Sequence, residues 1–179
     1  LEQTEKLDFL IQSLVKLSRM ESGIIAVHSE DTTIKQMLES IQQQFNVKVR
    51  EKNITLSLSD TDLHIRCDSK WTVEALGNIV DNAIKYTACG GNVQIKVEQY
   101  SFFVKIDIID DGIGIEKEEI PKIFGRFYRS LSVADQPGVG IGLFLAREII
   151  QAQKGYIKVT SKRGKGSTFS VFLPIAKKE

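Results

Sequence analysis

The tightest constraint on the fold is a repeated two-residue rhythm. Val93, Ile95 and Val97 alternate with polar residues, and residues 103–109 follow the same rule a few positions later. Successive side chains of a strand point to opposite faces, so this alternation marks strands with one buried face. Ile54, Leu56 and Leu58 alternate with Thr55 and Ser57 in the same way. Residues 63–67 read as another strand, and residues 24–28 as a short opening one. Segments 155–161 and 168–173 flank Arg163-Gly164-Lys165-Gly166, a turn sequence that closes a hairpin.

Between the strands the period changes to that of a helix. Ile34, Leu38, Ile41 and Phe45 share one helical face, and Asp31 or Thr32 can cap that helix. A second helix starts at Asp68 or Ser69 and runs to about Thr87, ahead of Gly90-Gly91. Residues 116–121 read as a short helical turn, and residues 141–153 as the last long helix. Strands that pair through hairpins, interleaved with helices, predict an α/β two-layer sandwich. It has one mixed, mostly antiparallel sheet with helices on one face. A chain of 179 residues, 42% hydrophobic and 26% charged, can bury roughly 70% of its unfolded surface, so a packed core is expected rather than disorder.

Residues 4–20 read as a further helix. Leu7, Leu10, Leu14 and Leu17 have the 3-4-3 spacing of a coiled-coil seam, which Ile11 broadens. So short a seam needs a partner: a second copy, or the chain's own domain if the helix is an ordinary amphipathic one. Residues 1–22 are therefore set apart from a main domain at 23–179. The formal net charge of +1 gives no basic excess to coat nucleic acid. No apolar run approaches the roughly 20 residues of a membrane span. The chain opens on Leu1 without a secretory signal, as a segment of something longer would. Cys67 and Cys89 form no C-x-x-C pair and read as reduced, buried thiols of a cytoplasmic protein.

Four segments carry chemistry. On the second helix, Glu74, Asn78, Asn82 and Lys85 lie opposite the apolar face of Val73, Leu76, Val80, Ala83 and Ile84. Asparagine is a weak helix former, so two on one face form either a solvated surface or a site. An amide oxygen suits a hard cation such as Mg²⁺, and a nearby ammonium suits phosphate. Asp110-Asp-Gly112-Ile-Gly114 follows a strand directly. It is either a plain turn or a place where a ligand approaches the backbone. Gly138-Val-Gly140-Ile-Gly142-Leu143 opens the last helix, where backbone N–H groups favour an anion. It is neither a dinucleotide fingerprint nor a P-loop. Between these turns, Arg126 and Arg129 are solvated or, beside a phosphate site, hold a transferring phosphoryl group.

In this order the four segments resemble the N, G1, F and G2 boxes of bacterial sensor histidine kinases. Leu17-Ser-Arg-Met-Glu-Ser-Gly23 is similar to the end of that family's dimerisation helix. Gly164-Lys-Gly166-Ser-Thr168-Phe169 with Leu173-Pro174 is similar to its closing hairpin. The resemblance implies a GHKL-type ATP-binding fold, with ATP and Mg²⁺ as cofactors. It implies that Asn82 binds Mg²⁺ with Asn78 in support, that Lys85 contacts phosphate, and that Tyr86 lines the pocket. Asp110 is expected to accept from adenine N6, with Thr168 in its network and Gly112 and Gly114 shaping that wall. Gly138, Gly140, Gly142 and Leu143 are expected at the lid and phosphate-binding helix start, and Arg129 ahead of Arg126 at the γ-phosphate. The partners implied are a dimerisation and phosphoacceptor domain and a response regulator receiver domain, with a possible homodimer through residues 4–20. No contact with nucleic acid or membrane is expected.

The family transfers phosphate to a histidine in an H-E/D context. His28 and His64 lack that context and read as structural, so no self-phosphorylation is expected. GHKL ATPases such as gyrase carry a glutamate base where this chain has Asn78, and an amide cannot take a proton from water. Serine kinases of the same fold and a non-enzymatic docking module are the remaining alternatives.

Overall fold

A computed structural model describes residues 27–130, 133 and 138–175, together with the single positions Leu7, Ile11, Gln12, Leu14, Val15 and Ser18. The chain is helical at those six positions. Leu7, Ile11, Leu14 and Val15 are 57%, 49%, 47% and 42% exposed. The rest of the expected helix over residues 4–20, and the boundary at 22–23, lie outside the described residues.

Seven strands and three helices follow. They are β1 (Glu30–Thr33), α1 (Ile34–Glu51), β2 (Thr55–Leu58), β3 (His64–Cys67), α2 (Ser69–Tyr86), β4 (Asn92–Gln99), β5 (Phe103–Asp110), α3 (Gly142–Ala152), β6 (Tyr156–Ser161) and β7 (Ser167–Pro174). The main sheet has the order β2-β4-β5-β7-β6. Only β2 and β4 run parallel, which requires a long crossover, here through β3 and α2. The other pairs are antiparallel. Alternation works as expected: Val93 and Ile95, then Val104, Ile106 and Ile108, then Phe169, Val171 and Leu173 are all buried. They form one core with the apolar stripes of the three helices.

The structure departs from the sequence expectations in the sheet count, the opening strand, the cap of the first helix and the burial of Cys89. A single sheet was expected, but β1 and β3 form their own two-stranded sheet. A strand lies at Glu30–Thr33; of the opening strand expected over 24–28, residues 27 and 28 are outside any strand and 24–26 lie outside the described residues. Residues 30–33 find partners in β3, with Asp31 opposite Arg66 and Thr32 opposite Ile65. Because Asp31 and Thr32 are in the strand, the cap of α1 falls to Thr33, whose hydroxyl accepts from the Gln36 N–H. Over residues 116–121 the chain makes the short hydrogen-bonded turn expected there, with Glu119 N–H donating to the Glu116 carbonyl at 2.9 Å. Cys67 is buried as expected, but Cys89 is exposed, because it follows the end of α2 in the turn to β4.

The ends of α2 are held from outside. At its start Asp68 caps the helix by accepting from Trp71 N–H at 3.1 Å, and it also accepts from His28 N–H at 2.9 Å. Gln153, just past α3, accepts from the Asp68 N–H at 2.8 Å and so ties the two helices together. At the other end Lys52 donates from Nζ to the carbonyls of Ile84, Lys85 and Thr87 at 2.8, 2.9 and 2.6 Å. A cation at a helix C-terminus also meets the negative end of the helix dipole. Lys52→Met is expected to lower unfolding free energy by about 1–3 kcal/mol, measured by urea denaturation. An unchanged midpoint would show that water replaces the ammonium at no cost.

Candidate functional site

The last turns of α2 open into a cavity. Asn78, Asn82, Lys85 and Tyr86 line it from one side, and the glycine-rich start of α3 lines it from the other. The turn after β5 and the beginning of β7 add Asp110, Ile113 and Ser167 to the lining, and Ile113 N–H donates to the Tyr86 carbonyl at 3.2 Å. The cavity holds about 180 Å³, room for on the order of a dozen waters. That is far more than a packing defect. Asn82 and Asp110, read from motifs 28 positions apart, therefore face one space.

The α2 end is cationic. Lys85 is half-buried, with Nζ 4.8 Å from the Tyr86 ring centroid. Burial pushes its pKa below the usual lysine value, and the positive charge of Arg129 pushes it further the same way. Burial raises the Tyr86 hydroxyl. Arg129 donates from Nη2 to the Val133 carbonyl at 3.0 Å and lines the cavity. Two cations thus share a partly dehydrated space, with the Asp81 carboxylate also in its lining. Asn78 adds a buried Nδ2 with no hydrogen-bond partner. A Cβ on Gly142 would lie 3.3 Å from its Oδ1, so α2 and the start of α3 meet at this amide. Gly140 has φ +77°, and a Cβ there would come within 2.6 Å of the Tyr128 carbonyl. No larger residue fits that turn without strain.

The β5 end is a buried carboxylate. Asp110 is 8% exposed. It accepts from Gly112 N–H at 2.9 Å and from the backbone N–H of Ser167. Burial raises its pKa, and the two N–H donors only partly offset that. The neighbouring Asp111 points outward and accepts from Asn92 at 2.9 and 2.8 Å. Those bonds lower its pKa. Alternation along the strand thus separates two adjacent aspartates into one inside and one outside the cavity.

If a donor on a ligand base pairs with ionised Asp110, affinity is lost as pH falls through the carboxyl's raised pKa. Adenine nucleotide binding is therefore expected to weaken at a pH above the ordinary aspartate value of 3.8. Asp110→Asn removes that limb. Titrations across the acid range check it, and a limb unmoved by the substitution would assign it to another group.

Three expected residues lie elsewhere. Arg126 is exposed, with its guanidinium 4.7 Å from the Phe144 ring centroid, and does not line the cavity. Phe127 adopts φ +59°, which turns the chain so that Tyr128 and Arg129 enter the cavity and Arg126 does not. Thr168 is not in the lining; Ser167 is. On β7 the buried face carries Ser167 and Phe169, so a period of two places Thr168 on the opposite side. Gly112 sits beneath the Asp110 carboxylate, shaping the wall without lining it. Gly114, Gly138, Gly140, Gly142 and Leu143 line it as expected. Ser167, Ile113, Glu119, Tyr128 and Arg163 also line it and were not expected. Only Ser167 had a signal, the strand alternation; the others arrive by folding.

Residues 67–177 match the histidine kinase-, DNA gyrase B-, and HSP90-like ATPase family. The chain belongs to that family. Among relatives of this ATPase domain, the sensor histidine kinase WalK of Bacillus subtilis is 33% identical over 177 residues, covering 96% of this chain and 29% of that protein. The sensor protein kinase PmrB of Pseudomonas aeruginosa is 29% identical over 171 residues, covering 95% of this chain and 36% of that protein. The chain thus spans about a third of the length of these two relatives. Its fold is that of the Acinetobacter baumannii histidine kinase AdeS, with TM-score 0.80 at 25% identity, covering 98% of this chain and 81% of that one. The fold also recurs in histidine kinase ThkA, solved in complex with response regulator protein TrrA, with TM-score 0.72 at 22% identity, covering 96% of this chain and 51% of that one. The ATP-binding domain is thus of the sensor histidine kinase kind.

Proposed function

We propose that the cavity binds Mg-ATP and delivers its γ-phosphoryl group to a histidine of a dimerisation domain, in a two-component pathway that ends on a response regulator receiver domain. The observation that carries this reading is that one cavity is lined both by Asn82, Lys85 and Arg129 and by the buried carboxylate of Asp110. A triphosphate matches the cationic end. An exocyclic amine matches the carboxylate, which presents acceptors only. Guanine would set its O6 against that carboxylate with no proton between them, so GTP is disfavoured.

Among the described residues, no cluster of three or more His, Cys, Asp or Glu is placed to hold a metal ion. A Mg²⁺ here would take the Asn82 amide oxygen and otherwise phosphate and water oxygens, as this ion commonly does. When bound, it would neutralise charge on the phosphates. Lys85 and Arg129 hold the phosphate oxygens, and Tyr86 and the α3 glycines enclose them. Phosphoryl transfer depends mainly on such positioning. The acceptor imidazole nitrogen forms a bond to Pγ as the bond to the β–γ bridging oxygen breaks, ADP leaves, and the imidazole gives up its proton. Asn78 supplies no base for water, which disfavours the ATPase reading.

Neither His28 nor His64 lines the cavity, and each is exposed. Labelled ATP is therefore expected to leave this chain unlabelled and to label the histidine of a separately supplied acceptor helix. Label on a serine, or none on any acceptor, would overturn the proposal. We place the domain on the cytoplasmic side, where ATP is present. Among the described residues no helix is long and apolar enough to cross a membrane. The exposed apolar positions Leu7, Ile11 and Leu14 support dimerisation through residues 4–20, which sedimentation tests.

A further inference from the structure

We infer that Arg163 is a specificity-determining residue whose guanidinium covers the face of the purine base held by Asp110. The inference rests on the nucleotide reading above and deepens it. Arg163 lines the same cavity as Asp110 and Ile113, yet it comes from the hairpin between β6 and β7, far in sequence from Lys85 and Arg129.

Backbone contacts hold it at the base end. Gly164 N–H donates to the Ile113 carbonyl at 2.8 Å. A Cβ on Gly114, which has φ +67°, would run into the Lys162 carbonyl and lie 3.0 Å from Arg163 Cα. The hairpin tip and the glycine turn after β5 are therefore packed backbone against backbone. The same hairpin delivers the Ser167 N–H to Asp110, so the carboxylate and Arg163 keep a set relation. On the outer side, Glu116 Oε1 lies 3.9 Å from Arg163 Nε, and the Arg163 side chain is 41% exposed. The guanidinium stands at the rim, between a surface carboxylate and the cavity. Ile113, 39% exposed, adds apolar surface to that rim.

A flat, weakly hydrated cation on a long apolar stem suits the π-face of a base, and an ammonium does not replace its plane. Asp110 reads the edge of the ring and Arg163 its face. Phosphate already has the cations Lys85 and Arg129 in the same lining. Arg163 therefore favours an adenine base over a bare polyphosphate and does not add to phosphate binding.

The test titrates a non-hydrolysable Mg-ATP analogue and inorganic Mg-tripolyphosphate into the wild type, Arg163→Ala, Arg163→Lys and Asp110→Asn. Arg163→Ala is expected to weaken the analogue about two- to fivefold, with Lys between Ala and Arg and tripolyphosphate unaffected. The thermal midpoint of this exposed variant should match the wild type. Unchanged affinity of Arg163→Ala for the analogue overturns the inference. So does an equal loss for tripolyphosphate, which would make Arg163 a phosphate ligand. If Asp110→Asn loses affinity while Arg163→Ala does not, only the Arg163 assignment falls. If the wild type takes up no analogue, the nucleotide reading falls and takes this inference with it.

Discussion

Asp110→Asn is expected to weaken adenine nucleotide binding by roughly 1.5–3 kcal/mol, the worth of a hydrogen bond to a charged group. That corresponds to roughly 10- to 150-fold in affinity. The substitution is isosteric, so packing is not at issue. The geometry pushes the effect toward the upper part of the range. The Asp110 carboxyl already accepts from Gly112 N–H at 2.9 Å and from Ser167 N–H. An asparagine must turn its NH₂ either toward those backbone donors or toward the base amine. Either way two donors face each other. Because the NH₂ can instead meet the O6 of guanine, discrimination against GTP should shrink while ATP affinity drops. Calorimetric titration with both nucleotides measures this. Wild-type protein that binds ATP and GTP equally would show that Asp110 does not read the base.

Asn82→Ala should reduce phosphoryl transfer to an acceptor histidine supplied in trans by on the order of 100-fold or more, since it removes the only protein oxygen proposed for the metal. Asn82 projects from the last turns of α2, with its backbone inside a helix capped at both ends. Truncation should therefore leave the fold intact. The loss belongs in the transfer rate more than in saturation, because Lys85, Arg129 and Asp110 still bind the nucleotide. Excess Mg²⁺ should restore activity only partly. Transfer at the wild-type rate would remove Asn82 from the metal site.

Much of this molecule was legible before folding. The apolar face of α1 was read directly as Ile34, Leu38, Ile41 and Phe45, all buried. The alternation in β4 and β5 also marks the helix-facing side of the sheet. Both signals come from local periodicity, which a linear chain carries without tertiary help. The asparagines of α2 and the α3 glycines stand out as departures from local rules, a weak helix former in a helix and glycines at a helix start, and the structure places Asn82, Lys85, Asp110 and those glycines around one cavity. The errors arose where a partner distant in sequence decided the outcome. Pairing with β3 drew Asp31 and Thr32 into a strand and passed the cap to Thr33. A one-residue choice on β7 put Ser167, not Thr168, against Asp110. The left-handed turn at Phe127 separated Arg129 from Arg126.

The amino-acid order alone determined most of the elements, the two-layer architecture and which polar residues stand out, because helix and strand periods and special residues act over a few positions. Only the tertiary structure decided which side chains share the cavity. Arg163, Tyr128 and Glu119 reach it because the β6–β7 hairpin and the turns after β5 pack against the glycine turn and α3. Such long-range packing leaves no pattern in any short stretch of chain.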